Sequence, residues 1–276
     1  MASEYNRIRG RLYYEGRKIR DRVTEAAWSL SRAGRENGGK LSELNGMFSG
    51  RRCFVMGNGP SLLKCDLSLL KDEVTIGSNA QYLSWETMGF IPTFFTVEDR
   101  LVAEDRASDL CALPQPTKLF PKYLLYCLRR SRNSIFINFD LDYEPFPQFS
   151  GDFEKIVYWG GTVSMLNLQL AYFLGCTEIY LVGFDHHYVV PDKIENNVIT
   201  SQEDDVNHLH PDYFGKGYRW HDPDLPRMER AYREARRFLD ERGILVRNAT
   251  VGGRLEVFER VEYDSLFGSD NQRSIK

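Results

Sequence analysis

All five histidines of the protein lie between residues 186 and 221. An unperturbed imidazole titrates near neutral pH, so a histidine suits the removal of a proton from an attacking hydroxyl group. His208 and His210 admit a second chemistry, because an HxH pair on a strand points both rings to one side, as a divalent metal requires. Pro211 follows at once, and spacing sets no third ligand. We therefore predict a general base and assign no metal site; metal ligation and a structural role remain alternatives.

The histidines belong to an irregular, polar segment, residues 185–224. It is rich in aspartate and glycine and has four aromatic residues between 213 and 220. Long irregular segments in compact domains are usually functional lids or disordered, and the aromatic residues argue against disorder. The segment is therefore predicted to form a lid.

A glycine-rich turn is the second feature with chemical meaning. The apolar run Phe54-Val55-Met56 breaks directly into Gly57-Asn58-Gly59-Pro60-Ser61. Such a turn, leading from a strand into a helix, offers free backbone amides to an anion, most often a phosphate. The pattern is neither GxGxxG nor a P-loop, since the P-loop lysine is missing. A plain connecting turn stays an alternative.

From residue 51 onward, short β-rich runs alternate with helical patterns. The alternation predicts an α/β fold, here a doubly wound, mostly parallel, Rossmann-like sheet. The predicted strands cover residues 52–57, 73–79, 92–99, 134–140, 178–184 and 244–248. The predicted helices cover residues 162–174, apolar nearly all round, and about 224–243. Ligands of such sheets bind beyond the carboxyl ends of the strands, so the turn and the lid should meet at that edge.

The amino-terminal part has a different character. Apolar positions in residues 5–33 recur at helical spacing with arginines opposite them, which predicts an amphipathic helix. The sequence GRENGGK, residues 34–40, indicates a flexible linker. We therefore divide the chain into residues 1–46, a basic helix and linker, and residues 47–276, the catalytic domain. The helix either docks on protein, its own domain or a second subunit, or lies on anionic lipid.

Charge and composition limit the partners. Residues 1–46 carry a balance of +4 and the remainder −7, and such an acidic body argues against a nucleic-acid partner. No apolar run approaches the ~18 residues of a membrane span, and the first residues lack the apolar core of a signal peptide. The five cysteines have no metal-type spacing, and Cys53 and Cys176 lie in apolar runs. We expect a cytoplasmic protein, with the inner face of the membrane as a further option.

Three stretches, FVMGNGPSL, GSNAQY and GCTEIYLVGFDHHY, followed by a lid with histidines, resemble the bacterial sialyltransferases of glycosyltransferase family 42. They equally resemble the MptE-like family, named after a 6-hydroxymethylpterin diphosphokinase. The resemblance covers roughly residues 50–250. It implies a nucleotide-binding site, and its implied contacts are Gly57, Asn58, Gly59, Ser61, Asn79, Gly160, Gly161 and Thr162.

The resemblance also implies catalytic roles. His208, with His210 close behind, matches the general base of the sialyltransferases, and Tyr188 matches the tyrosine that steadies the leaving phosphate. Asp185, which directly follows the predicted strand over 178–184, is a further candidate catalytic residue. The sialyltransferases have a second such tyrosine a few residues further on, which residues 189–200 lack, so Tyr213 or Tyr218 would have to replace it. Lys216 and Arg219 are further candidates for contact with the leaving phosphate.

The function implied is that of an inverting glycosyltransferase. It would move a sialic-acid-like sugar from a CMP-activated donor to a glycan acceptor in surface polysaccharide assembly, with no cofactor required. The alternative is an MptE-like pyrophosphokinase that moves diphosphate from ATP with Mg²⁺, for which Asp185, Asp204 and Asp205 are candidate ligands. A nucleotide-binding module without turnover is a third reading, and a homo-oligomer is left open.

Overall fold

The computed structural model of the protein describes residues 27–28, 30–191 and 197–268. The chain divides into two units, one ending at Glu43 and one beginning at Leu44. Most of the predicted helix over 5–33 lies outside the described residues. In the part of the chain that the structure describes, no helix has the length and apolar character needed to cross a membrane.

The first unit contains helix α1, Arg32–Ser42. The prediction of a flexible linker over residues 34–40 is wrong, because those residues lie inside this helix. Ser31 caps its first turn, accepting a hydrogen bond from the amide of Gly34 at 2.9 Å. Arg32 and Glu36 form an ion pair one turn apart. Each interior glycine costs about 1 kcal/mol relative to alanine, which weakens a helix but does not end it.

The second unit contains one sheet of eight parallel strands, which confirms the predicted doubly wound α/β fold. Its strands are β1 (Arg52–Met56), β2 (Val74–Ser78), β3 (Phe94–Thr96), β4 (Thr117–Pro121), β5 (Ser134–Ile137), β8 (Glu178–Val182), β11 (Leu245–Asn248) and β12 (Glu259–Arg260). Two short ladders lie apart from it: parallel β6 (Phe139–Asp140) with β7 (Val157–Tyr158), and antiparallel β9 (Val198–Thr200) with β10 (Arg219–His221). The central strands β1 and β8 are continuous apolar runs, as burial on both faces requires.

Two strand predictions need correction. The predicted strand over 134–140 is split, since its second half leaves the large sheet to pair with β7. Strand β4 was not predicted, because its sequence TKLFP carries a lysine and a proline. Lys118 is nevertheless buried, and its ammonium donates to the carbonyls of Leu110 and Leu113 at 2.9 and 2.8 Å. Burial lowers the pKa of this ammonium.

The α-helices of this unit lie in the connections between strands of the large sheet. They are α2 (Trp85–Met88), α3 (Arg100–Asp105), α4 (Ala107–Ala112), α5 (Val163–Phe173) and α6 (Leu225–Asp240). Helix α5 packs on β1, β2 and β3 and beside α6. It is buried nearly all round, as predicted, and begins at the cap Thr162. Because α5 and α6 each lead into a parallel strand, both begin at the carboxyl edge of the sheet.

The strand order is β12-β11-β8-β1-β2-β3-β4-β5. From β1 the chain adds strands on one side as far as β5, and then returns to add β8, β11 and β12 on the other side. The border between β1 and β8 is therefore the point where the strand order reverses. In open parallel sheets this switch point opens a crevice at the carboxyl edge, where ligands bind.

Candidate functional site

The glycine-rich turn after β1 packs against the loop that follows β8. The amides of Gly57 and Gly59 donate to the carbonyls of Val182 and Gly183 at 2.7 and 3.0 Å. A Cβ atom on Gly57 would lie 2.2 Å from the carbonyl oxygen of Gly183. On Gly59 it would lie 1.7 Å from a carboxylate oxygen of Asp185. Both glycines are thus required by the close approach of two strand ends.

Asp185 reaches back to this turn. Its Oδ2 accepts hydrogen bonds from the hydroxyl of Ser61 at 2.7 Å and from the Ser61 amide at 3.2 Å. The turn amides that the sequence predicts to be free for a phosphate are therefore engaged with the protein itself at Gly57, Gly59 and Ser61. The sequence could not reveal this, because β8 lies more than a hundred residues further along the chain.

The lid contains a buried aspartate–histidine pair. Nδ1 of His208 lies 2.7 Å from Oδ2 of Asp205, and the two side chains are only 10% and 3% exposed. The carboxylate also accepts from the amides of Asn207 at 2.7 Å and Phe214 at 2.9 Å. Burial alone would raise the pKa of Asp205, but the hydrogen bonds from His208 and these amides outweigh it and lower that pKa. The carboxyl group of Asp205 is therefore ionised and lies beside Nδ1 of the His208 ring.

Aromatic packing fixes the ring of His208. It stacks on Tyr213 with 3.9 Å between centroids and 4° between planes, and Phe214 meets it edge-on. The Tyr213 hydroxyl accepts a hydrogen bond from the Asn58 amide at 2.8 Å, and the Leu209 amide donates to the Asn58 carbonyl at 2.9 Å. The lid and the glycine turn therefore meet at the edge of the sheet, as the sequence predicts.

The other candidate catalytic residues divide. Tyr188 lies beside His208, with 6.3 Å between ring centroids, and burial raises the pKa of its hydroxyl. His210 instead accepts a hydrogen bond from the Asp212 amide through Nδ1, a role within the lid. The HxH pair thus lies in a loop rather than on a strand, and its two Nδ1 atoms have different partners.

The remaining histidines are dispersed. His186 has a positive φ of 50°, and its Nε2 lies 3.4 Å from a carboxylate oxygen of Glu229. Burial lowers its pKa. His187 is exposed. His221 lies at the end of β10, with Nδ1 3.1 Å from Oδ2 of Asp99.

Of the other lid residues proposed for the leaving phosphate, Lys216 is exposed, and the rest have partners or are buried. Arg219 donates to Asp105 and Glu104. Tyr218 lies over the guanidinium of Arg106, at 3.9 Å. Tyr213 is fully buried. Of the tyrosines named from the sequence, Tyr188 is therefore the one that lies beside the His208 ring and whose hydroxyl makes no hydrogen bond in the described structure.

The remaining predicted nucleotide contacts lie at two places on the carboxyl edge of the sheet, after β2 and before α5. Asn79 follows β2 with a φ of 57°, and its Oδ1 is buried without a hydrogen-bond partner among the described residues. Gly160 packs against Met165, where a Cβ atom would clash at 2.3 Å. Gly161 has a φ of 83°, and Thr162 caps α5. Gly160 is thus explained by packing, whereas Asn79 leaves a polar atom available.

Glu98 was not among the predicted site residues. It follows β3 at the same edge and is 7% exposed. Burial and then the neighbouring Asp99 raise its pKa to about 8, against a hydrogen bond from Trp159 that lowers it. A buried carboxyl group beyond a strand end is a functional candidate on physical grounds. The sequence shows a Glu-Asp pair there but not its burial.

A pocket of about 270 Å³ opens at the switch point. Its walls come from the turns that follow three neighbouring strands: Pro60 after β1, Asp185 and His187 after β8, and Arg254 after β11. Asn207 of the lid closes another side and is tied to Val189 by two hydrogen bonds, of 2.7 and 3.0 Å. The pocket thus borders the loop that carries Asp205 and His208.

The carboxylates considered for Mg²⁺ are not clustered. Asp185 is engaged with Ser61, Asp205 with His208, and Asp204 is exposed. Within residues 27–28, 30–191 and 197–268, no group of three or more histidine, cysteine, aspartate or glutamate side chains is arranged to hold a metal ion.

Comparisons with known proteins complete the description of the site. The model of the family described as "6-hydroxymethylpterin diphosphokinase MptE-like" matches residues 32–190, more than half of the chain. A search of curated proteins finds no significant match. The structure of the MAf glycosyltransferase from Magnetospirillum magneticum AMB-1 is similar, with a TM-score of 0.51 and 17% identity. That match covers 84% of this chain and 38% of the MAf chain.

A mammalian sialyltransferase, solved in complex with Gal-beta-1-3GalNAc-ortho-nitrophenol, also matches. The match has a TM-score of 0.33 and 14% identity and covers 84% of this chain and 86% of that one. The likeness to the MAf enzyme shows a shared fold.

Proposed function

The chain belongs to the MptE-like family, and from this membership and the lid geometry we propose that it is a transferase acting on a nucleotide-activated donor. The form we favour is an inverting glycosyltransferase. It moves a sialic-acid-like sugar from a CMP-linked donor to a glycan acceptor in surface polysaccharide assembly, at the cytoplasmic face of the membrane. The observation that carries the proposal is the buried pair of Asp205 and His208 beside Tyr188.

In the proposed reaction the acceptor hydroxyl gives its proton to Nε2 of His208. Its oxygen forms a bond to the anomeric carbon while the bond from that carbon to the donor phosphate breaks. Asp205 holds the proton on Nδ1, so that Nε2 carries the lone pair, and stabilises the imidazolium that forms. The buried, stacked ring is held in one orientation before the acceptor arrives.

Negative charge grows on the departing phosphate, and a hydrogen-bond donor there lowers the barrier. The hydroxyl of Tyr188 is the proposed donor. Burial raises its pKa, so it keeps its proton at neutral pH. The turn amides and the side-chain amide of Asn58 are engaged within the protein, the latter with Tyr213 and Gln81. The proposed side-chain contact to the nucleotide is therefore Oδ1 of Asn79, which has no hydrogen-bond partner among the described residues.

The family description supports a second candidate, a diphosphokinase that transfers diphosphate from ATP. That chemistry uses Mg²⁺ on the phosphates. The carboxylates considered for it do not form one donor set in the described structure.

A thermal-shift panel with CMP, CDP, UDP, GDP and ATP, each with and without Mg²⁺, separates the candidates. A ligand at 100 times its dissociation constant adds about 2.7 kcal/mol to the free energy of unfolding, which raises the Tm by several degrees. We expect a shift with CMP that does not depend on Mg²⁺. A shift only with ATP and Mg²⁺ would establish the diphosphokinase instead, and a CMP shift without turnover would indicate a binding module.

A further inference from the structure

The pocket at the switch point is lined by an exposed cationic residue that nothing in the proposed mechanism uses. Arg254 lines it, and within the described residues its guanidinium makes no ion pair or hydrogen bond. His187 lines the same pocket, also without a partner among those residues. Two hydrogen-bond donors of this type in one small pocket indicate an anionic ligand group.

The loop that presents Arg254 is held in place. Arg260 donates to the carbonyls of Gly252 and Gly253 at 2.6 and 3.1 Å, and the Arg254 amide donates to the Asp185 carbonyl at 2.8 Å. Gly253 has a φ of 73°, and a Cβ atom there would lie 3.0 Å from the Phe184 carbonyl oxygen. The position of the Arg254 backbone is therefore set before any ligand binds.

The remaining walls are of two kinds. Asp185 offers a carboxylate that is hydrogen-bonded to Ser61 through Oδ2. Val189 and Val206 form an apolar rim and are 60% and 65% exposed. An acidic sugar has matching parts: a carboxylate for Arg254, hydroxyl groups for Asp185 and apolar ring faces for the valines. A phosphate ion has no apolar surface to contact such a rim.

The volume favours the same ligand. About 270 Å³ is slightly below the ~300–1,000 Å³ of drug-sized sites, so the pocket has room for one sugar but not for a whole nucleotide-sugar. We propose that this pocket binds the acidic sugar of the donor and that Arg254 holds its carboxylate in a planar, two-pronged contact. The inference rests on the proposed function for the identity of the sugar.

Binding of four ligands to the intact chain tests it: N-acetylneuraminic acid, its methyl ester, inorganic phosphate and CMP. We expect the wild type to bind the acid more tightly than the ester. Arg254→Ala should weaken binding of the acid about tenfold or more, the range of a charge-assisted hydrogen bond, and leave CMP unchanged. Arg254→Lys keeps the charge but not the fork, so it should restore binding only in part. Arg129→Ala is the control, because the exposed side chain of Arg129 makes no hydrogen bond or ion pair in the described structure.

Equal binding of acid and ester, or an unchanged affinity for the acid in Arg254→Ala, overturns the pocket assignment. A variant that loses phosphate and CMP instead of the acid overturns it as well, because the anion is then a phosphate. The melting temperature of each variant confirms that it is folded. If CMP binds and donor turnover persists in Arg254→Ala, the pocket assignment fails and the proposed function stands. If CMP never binds but the acid does so through Arg254, the proposed function fails and the pocket stands.

Discussion

The described part of the chain contains two aspartate–histidine pairs of nearly the same geometry in very different surroundings. His208 and Asp205 lie 2.7 Å apart, with side chains 10% and 3% exposed. His221 and Asp99 lie 3.1 Å apart, with side chains 41% and 20% exposed. The first ring is stacked on an aromatic neighbour, whereas the second lies at the end of a short strand.

The two carboxylates also accept hydrogen bonds from different backbone amides. Asp205 accepts hydrogen bonds from two lid amides in addition to the histidine. Asp99 caps α3, accepting from the amides of Leu101 and Val102 at 2.7 and 3.4 Å. Asp205 therefore holds the lid loop around the His208 ring. Asp99 caps the first turn of α3 and pairs with a more exposed histidine. Because the residue types are identical, burial and orientation are what distinguish the two pairs.

Removal of the His208 imidazole should cause the greatest loss of turnover, and removal of the His221 imidazole should cause little. His208→Ala should reduce turnover by about 10²-fold or more, because the acceptor hydroxyl loses its base, while nucleotide binding stays nearly intact. His221→Ala should change turnover less than about twofold, because an exposed pair contributes little. Turnover with saturating donor and binding of CMP are the measurements. Loss of CMP binding together with turnover in His208→Ala would contradict the general-base role.

Asp205→Asn tests the partner of the base. Breaking a buried pair costs about 3 kcal/mol of folding free energy. Turnover should also fall at every pH, because the imidazole loses the group that fixes its Nδ1 proton. Asp99→Asn keeps a good helix cap and should cost less than about 1 kcal/mol. Urea unfolding and a pH–rate profile distinguish them; equal losses of stability in the two variants would remove the contrast between the pairs.

Much of this arrangement could be predicted from the sequence, but not its most informative details. The parallel sheet follows from continuous apolar runs such as 178–184 and from the all-apolar helix over 162–174, which are local patterns. The confinement of the histidines to residues 186–221 identifies the lid. From the sequence, Asp205 is only a candidate metal ligand, because its place beside Nδ1 of His208 depends on how an irregular loop folds back.

The engaged amides of the glycine turn show the same limit. Nothing local to Gly57 and Gly59 indicates that the loop after β8 occupies the space beside them. Residues 34–40 show the converse, since two adjacent glycines predicted a linker where a cap and an ion pair maintain a helix. A long-range contact determines the structure of the glycine turn, and small local energies determine that of residues 34–40. Neither can be predicted from the local sequence.

Glu98, the neighbour of Asp99, is a buried carboxyl group that is not paired with a histidine in the described structure. Its pKa is raised to about 8, above an ordinary value of 4.5. Between these two pH values the folded chain holds a proton that the unfolded chain has lost, so the free energy of unfolding falls as pH rises through that window. The full slope is about 1.4 kcal/mol per pH unit, and a loss of about 5 kcal/mol is expected across the window.

Glu98→Gln removes this proton while it keeps the side-chain size. Its free energy of unfolding should depend less on pH between 5 and 8, and the variant should be more stable than the wild type at pH 8. Urea unfolding at four pH values measures both. Parallel curves for the two proteins would mean that Glu98 is ionised in the folded state, like Asp205.

The smallest effect concerns the link between the buried pair and the sheet. Tyr213→Phe keeps the ring that stacks on His208 but removes the hydroxyl that accepts from Asn58 at 2.8 Å. The lost hydrogen bond costs about 1 kcal/mol, a Tm decrease of about 2–4 °C. Tyr218→Phe is the matched control, because its ring contact with Arg106 needs no hydroxyl. Hydrogen exchange should become faster at the Leu209 amide, which bonds to the Asn58 carbonyl, and stay unchanged at Trp220. If exchange at Leu209 stays slow, stacking alone holds the lid on the sheet; then what separates His208 from His221 is its aromatic packing rather than its tie to the glycine turn.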